Sequence, residues 1–264
     1  MFAQEKKPKS TTSPVIFWRW LSDNRFPRPT THACLRKSTP VQLLTNPALL
    51  FPVLLSLVSV TALTVADWRY HHSPEKTPWL RYLLKPIAAC AFLWLAINAG
   101  ALDSDYGRWI FAALLFCALG DLCLMFKNEA FFLSGLGAFL CGHLLFAVAF
   151  WLLFTGFSQT SFLTLALLLI AFISLRWLWP YLGNDMKIPV LVYICVITAM
   201  LISAALTLTE PGGLLRFAGA LGFAISDLAV ARQQFVKPSP SNGLWGTPLY
   251  FSSQMLLACS CQPG

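Results

Sequence analysis

Residues 108–127, RWIFAALLFCALGDLCLMFK, decide the fold. As a helix, a run of about 20 residues crosses about 30 Å of hydrocarbon. Its two ends are basic (Arg108 and Lys127), and the charge between them is the acid Asp121. Backbone N–H and C=O groups in lipid find no water, so a run this long and apolar reads as a transmembrane helix, not an open strand. Comparable runs flank it at approximately 46–66, 83–102, 131–154, 160–180, 188–208, 214–234 and 244–261. Short polar or Pro/Gly breaks separate them, among them His71-His72-Ser73-Pro74, Asp103-Ser104-Asp105, Lys127-Asn128-Glu129 and Glu210-Pro211-Gly212-Gly213. The fold class that follows is an all-α integral membrane protein, a bundle of about eight transmembrane helices.

Composition agrees. Of 264 residues, 57% are hydrophobic and 11% charged, against about 25% charged in soluble domains. That excludes an ordinary cytosolic enzyme, a disordered chain and a DNA-binding domain, and no nucleic-acid partner is expected. The net charge of +8 is uneven: residues 1–40 hold eight of the 19 basic residues and two acids, Glu5 and Asp23. Two segments result, a basic, disordered N-terminal tail over 1–40 and an eight-helix transmembrane domain over 41–264. The tail is read as solvated, with contact to anionic lipid or a targeting role as alternatives. An even span count puts both ends on one side. Loops after spans 1, 3, 5 and 7 carry most of the loop Lys and Arg, favouring that face as cytosolic, while the tail argues the reverse, so orientation stays open. The eight cysteines include no C-x-x-C pair and read as buried thiols, with Cys259 and Cys261 as candidates for acylation.

A faint repeat runs through the chain. FAALLFCALGDL at 111–122 and FAGALGFAISDL at 217–228 share six of twelve aligned positions, including Asp121/Asp227. A four-plus-four parallel duplication fits this, with chance between Ala/Leu-rich helices as the alternative.

Ionisable groups inside membrane helices cost at least about 2.5–3.5 kcal/mol on insertion scales and call for a reason. Asp121, His143 and Asp227 stand out. Asp121 lies six residues before Lys127 and Asp227 five before Arg232, which puts both roughly 8–9 Å inside one face. Tyr250 falls near the level of Asp227, with Gln254 one turn deeper on the same stripe. Lys85 opens span 2 at that face, and His143 counts deeper than both carboxylates. The expected site gathers Asp121 and Asp227 as catalytic groups, with His143, Tyr250, Gln254 and Lys85 around them and Tyr193 as a lining group. Each has a plainer reading as packing or interface anchoring. No metal, cofactor, G-x-S-x-G or H-E-x-x-H motif is called for.

The ordered stretches RWIFAALLFCALGDLCLMF, GLGAFLCGHLLFAVAF, GALGFAISDLAVARQQF and LYFSSQMLLA, with Lys85-Pro86 opening span 2, resemble the YhhN/TMEM86 family of lysoplasmalogenase-like membrane proteins. The resemblance covers about residues 80 to 260. It implies an eight-helix ether hydrolase, expected in the endoplasmic reticulum membrane, that cleaves the vinyl ether of lysoplasmalogens to a fatty aldehyde and glycerophosphocholine or glycerophosphoethanolamine. Its expected partners are the lysophospholipid substrate and membrane lipids. Such hydrolysis starts with proton transfer to carbon and passes through an oxocarbenium ion, a division of labour that two carboxylates perform in glycosidases. One of Asp121 and Asp227 would donate the proton and the other stabilise the cation, with His143, Tyr250 and Gln254 orienting or relaying and Lys85 or Arg232 meeting the phosphate. A proton-coupled transporter and a non-catalytic scaffold of the same fold are the competing classes.

Overall fold

The computed structural model describes residues 46–72, 78–126, 128–154, 156 and 161–262. The basic tail, Ser73 through Lys76 and Lys127 lie outside the described residues. Among the described residues, eight α-helices follow in order: α1 (Pro47–His72), α2 (Pro78–Asn98), α3 (Asp105–Cys123), α4 (Glu129–Leu152), α5 (Ser161–Leu178), α6 (Asn184–Leu206), α7 (Gly213–Ala231) and α8 (Pro240–Cys259). A short 3₁₀ turn, Trp179–Tyr181, follows α5, and a π-helical turn, Arg232–Val236, carries α7 onward. No strand occurs among the described residues.

Local chemistry sets the helix ends. Ser104 caps α3 by accepting the Gly107 N–H at 3.0 Å, and Asn128 caps α4 by accepting the Ala130 N–H at 2.8 Å. Before α7 the chain turns at Gly212, whose φ of 74° lies in the left-handed region that glycine enters freely. Arg216, nearly fully buried, secures that turn by donating to the Pro211 and Thr207 carbonyls and the Thr207 hydroxyl. Its guanidinium also lies 5.8 Å from the Tyr106 ring centroid, a cation–π contact with α3.

Seven of the helices, α1 to α7, are long and apolar enough to cross a membrane by length and composition. The eighth is more polar, with Asn242, Ser253 and Gln254 along it, and all three are buried. The reason is position: α8 packs on α7, α1, α2 and α3, so its polar side chains meet protein instead of lipid. Glycines permit the closest approach. A Cβ at Gly246 would sit 2.5 Å from the Ala229 Cβ across the α7–α8 crossing. The core is aliphatic and aromatic, including Phe92, Phe146, Phe150, Phe223 and Phe251. Cys259 and Cys261 are buried in it, each 6% exposed, which removes them as accessible acylation sites.

The packing pairs echo the faint repeat. Exchanging α1–α4 with α5–α8 carries the pair α3–α4 onto α7–α8, α2–α3 onto α6–α7, α1–α2 onto α5–α6 and α8–α2 onto α4–α6. These are the pairs a four-plus-four duplication would produce. The echo breaks at two places. Helix α8 packs on α1 and on α3, whereas α4 makes no comparable contact with α5 or α7, and α5 makes its main contact with α6. A cavity opens on the side where α5 stands apart.

Candidate active site

That cavity has a volume of about 980 Å³ and is lined from all eight helices, α1 through Asp67 alone. At the face where α2, α4 and α8 begin, its lining is polar, with Asp67, Arg81, Lys85, Glu129 and Gln233. Further in it turns apolar, with Leu167, Ile170, Ile197, Leu201 and Leu221. Asp121, Tyr193, Asp227 and Tyr250 line the stretch between. Among the described residues, none of the lining groups comes from the turns 99–104 and 207–212 at the other end of the bundle.

Two clusters occupy this middle zone, each built on one acid. Asp121 is 2% exposed. Its Oδ1 lies 3.1 Å from the Lys85 ammonium of α2, which also donates to the Asp121 carbonyl oxygen at 3.2 Å. Its Oδ2 accepts the Tyr250 hydroxyl of α8 at 2.7 Å. The second cluster is on α7. Asp227 Oδ2 accepts the Tyr193 hydroxyl of α6 at 3.1 Å and lies 3.2 Å from His143 Nε2 of α4. The exchange of helix quartets maps the partners of one acid, on α2 and α8, onto those of the other, on α6 and α4.

The imidazole of His143 is fully buried, and its tautomer is determined by its neighbours. Nδ1 lies 2.7 Å from the Phe139 carbonyl oxygen. A carbonyl only accepts, so Nδ1 carries hydrogen. The neutral ring then turns a lone pair at Nε2 toward Asp227, and two acceptors at that distance repel. The contact is attractive only with a further proton on Nε2 or on Oδ2. Without that proton Nε2 has no hydrogen-bond partner among the described residues, and of the pair only Asp227 lines the cavity. Asp121, by contrast, faces an ammonium and a hydroxyl donor.

Across α3–α4, Gly120 stands opposite Phe139 and Cys117 opposite Gly142. His143 Nε2 meets Asp227 Oδ2 directly, so the imidazole is level with that carboxylate and not deeper than it. The two acids approach not by direct packing of α3 on α7 but around aromatic rings. Tyr250 lies 5.4 Å from Phe223, and Phe223 lies 4.2 Å from His143, centroid to centroid.

Gln254 is fully buried one turn beyond Tyr250, and neither of its amide atoms has a hydrogen-bond partner among the described residues. Arg232 stands behind the cavity wall, donating to Asn242 Oδ1 at 2.6 Å. Asn98 ties α2 to α1 through the Ala48 carbonyl at 2.7 Å. Two lining groups escaped the sequence reading: Arg81 and Asp67, joined at 2.6 Å between Nε and Oδ1. The available signal was spacing, since Arg81 precedes Lys85 by one helical turn on the same face.

The chain matches the YhhN family over residues 80–261. It is 29% identical over 222 residues to the cattle protein lysoplasmalogenase TMEM86A, covering 79% of this chain and 88% of that one. To human lysoplasmalogenase TMEM86B it is 32% identical over 192 residues, 70% of this chain and 77% of that one. A lysoplasmalogenase of Mycobacterium tuberculosis is 33% identical over 150 residues, 55% and 56% of the two chains. No solved structure matches.

Proposed function

The chain belongs to the YhhN family, and from that premise we propose that it hydrolyses the vinyl ether bond of lysoplasmalogens, releasing a fatty aldehyde and glycerophosphocholine or glycerophosphoethanolamine. The observation that carries this reading is the 3.2 Å approach of buried His143 Nε2 to Asp227 Oδ2, an arrangement suited to hold one transferable proton, beside a cavity that is charged at one end and apolar at the other. A lysolipid is itself polar at one end and apolar at the other. Its alkenyl chain suits the Leu167, Ile197 and Leu201 end, and its headgroup the Arg81, Lys85 and Glu129 end. The vinyl ether, at the junction of chain and glycerol, then falls in the middle zone, between the two acids.

The chemistry follows from this placement. The proton held between His143 and Asp227 passes to the vinyl carbon remote from oxygen. A C–H bond forms, the C=C π bond is lost, and the carbon next to oxygen becomes an oxocarbenium centre. Asp121 supplies negative charge near that cation and, with Tyr250, orients a water. The water adds to the cationic carbon and returns a proton to the emptied His143–Asp227 pair. The hemiacetal then loses its hydroxyl proton while the glycerol oxygen gains one, so the C–O bond breaks to aldehyde and alcohol. One water is consumed and the pair ends as it began. Tyr193 holds Asp227 toward His143, and Gln254, fully buried and outside the cavity lining, is left a supporting place one turn beyond Tyr250.

This reading treats the protein as a multi-pass membrane enzyme of the endoplasmic reticulum. The test is aldehyde release from a defined 1-alkenyl lysophospholipid by purified protein. Intact substrate after prolonged incubation with folded protein would remove the proposal.

A further inference from the structure

We propose that Arg81 is the group that binds the lipid phosphate and so makes the site select phospholipid over neutral alkenylglycerol. This rests on the functional reading above and names a specificity determinant within it. Among the described residues, Arg81 and Lys85 are the cations that line the cavity. Lys85 is committed: its ammonium meets both a side-chain and a main-chain oxygen of Asp121. Its side chain is 21% exposed, against 43% for Arg81. Arg81 meets Asp67 through Nε, and no other described residue takes its two terminal nitrogens. A guanidinium held by one edge presents its other edge as a fork that matches two phosphate oxygens. Asp67 is thus a positioning residue for Arg81.

Length also fits. Arg81 stands one helical turn, about 5.4 Å, nearer the mouth than Lys85 and its partner Asp121. The phosphate and the ether oxygen of a lysoplasmalogen are separated by the glycerol carbons, a comparable span. With phosphate on Arg81, the ether reaches the level of Asp121 and the alkenyl carbons continue toward His143 and Asp227. The Arg232 guanidinium, tied to Asn242 outside the lining, serves the wall.

The experiment compares two substrates in each variant, a 1-alkenyl lysophospholipid and the 1-alkenylglycerol that lacks phosphate. Arg81→Gln is expected to lower kcat/KM for the phospholipid roughly tenfold to a hundredfold, mostly through KM, and to leave alkenylglycerol unchanged. Arg81→Lys recovers part of the loss. Unchanged alkenylglycerol turnover certifies the fold of each variant. Equal loss on both substrates, or no loss on the phospholipid, overturns the assignment. If the wild type cleaves neither substrate, the hydrolase reading fails separately. The same comparison is then made by equilibrium binding of saturated alkyl lysophospholipid and alkylglycerol, with the same expected selectivity and the same overturning outcomes. Inorganic phosphate is the third arm. Displacement of lipid by it at low millimolar concentration would mean a soluble-phosphate site and overturn the headgroup assignment, whereas indifference to it supports a lipid-borne phosphate.

Discussion

Replacing Asp227 by Asn tests the proton source with little change of shape. The amide is nearly isosteric with the carboxyl. One atom, Oδ2, stands 3.1 Å from the Tyr193 hydroxyl and 3.2 Å from His143 Nε2; an NH₂ in its place can donate one hydrogen to Nε2 and the other to the Tyr193 oxygen, which then accepts instead of donating. Both contacts survive, so folding and substrate binding are expected to persist. What is lost is the transferable proton, because an amide N–H does not titrate in this range. General acid catalysis contributes about 10²–10⁴ in rate, which at 1.36 kcal/mol per tenfold corresponds to about 3–5 kcal/mol of barrier. The expected result is a fall in kcat of that size with KM near the wild-type value. Aldehyde is followed by mass spectrometry from a defined 1-alkenyl lysophospholipid. Running the wild type in D₂O adds a second readout, since the donated proton ends on carbon: the aldehyde should gain one mass unit at the carbon next to the carbonyl. Wild-type kcat in Asp227→Asn, or aldehyde free of carbon-bound deuterium, would refute proton transfer from this pair.

Tyr250→Phe removes the 2.7 Å donor to Asp121 and leaves a buried carboxylate oxygen without it. The expected loss is about 1–3 kcal/mol of stability, read as a lower Tm in detergent; an unchanged Tm would mean that the bond contributes nothing. Gly246→Val forces α7 and α8 apart, since even its Cβ would stand 2.5 Å from that of Ala229. A loss of about 1–3 kcal/mol is expected, and Ala229→Gly in the same chain should recover part of it. Leu201→Trp fills the apolar end of the cavity, so preference should move to shorter alkenyl chains in a chain-length series while the rate on the shortest substrate is kept. A uniform rate loss at every length would place the chain elsewhere.

The fold was largely legible because lipid imposes one strong rule, a run long enough to span and apolar enough to be inserted. Each of the eight runs became a helix, with ends shifted where polar side chains continue a helix past the apolar stretch, as Arg81 does in α2. The buried acids and His143 were also visible, because an ionisable group among Leu and Phe is conspicuous. Their pairing was not. Residue counts along separate helices carry no information on which helices touch, so Asp121 and Asp227 appeared as one pair. In the structure each acid has its own partners, and the partner of Asp227 is His143. The Phe139 carbonyl that selects the tautomer is a main-chain group and leaves no mark in sequence. Arg81 and Asp67 were hidden for the opposite reason, since charges at helix ends are ordinary in membrane proteins.

The polarity of α8 has a consequence for how the molecule is made. A helix carrying Asn242, Ser253 and Gln254 gains little by entering bare lipid, and becomes comfortable only among α7, α1, α2 and α3. Its stable arrival in the bilayer therefore depends on earlier helices having already assembled to receive it. Until it docks, Asp121 lacks the Tyr250 hydroxyl and the wall beside it is open to acyl chains. A nascent chain stalled before Ser239 would thus expose a half-solvated acid within the membrane, the kind of flaw by which quality control tells an unfinished bundle from a complete one.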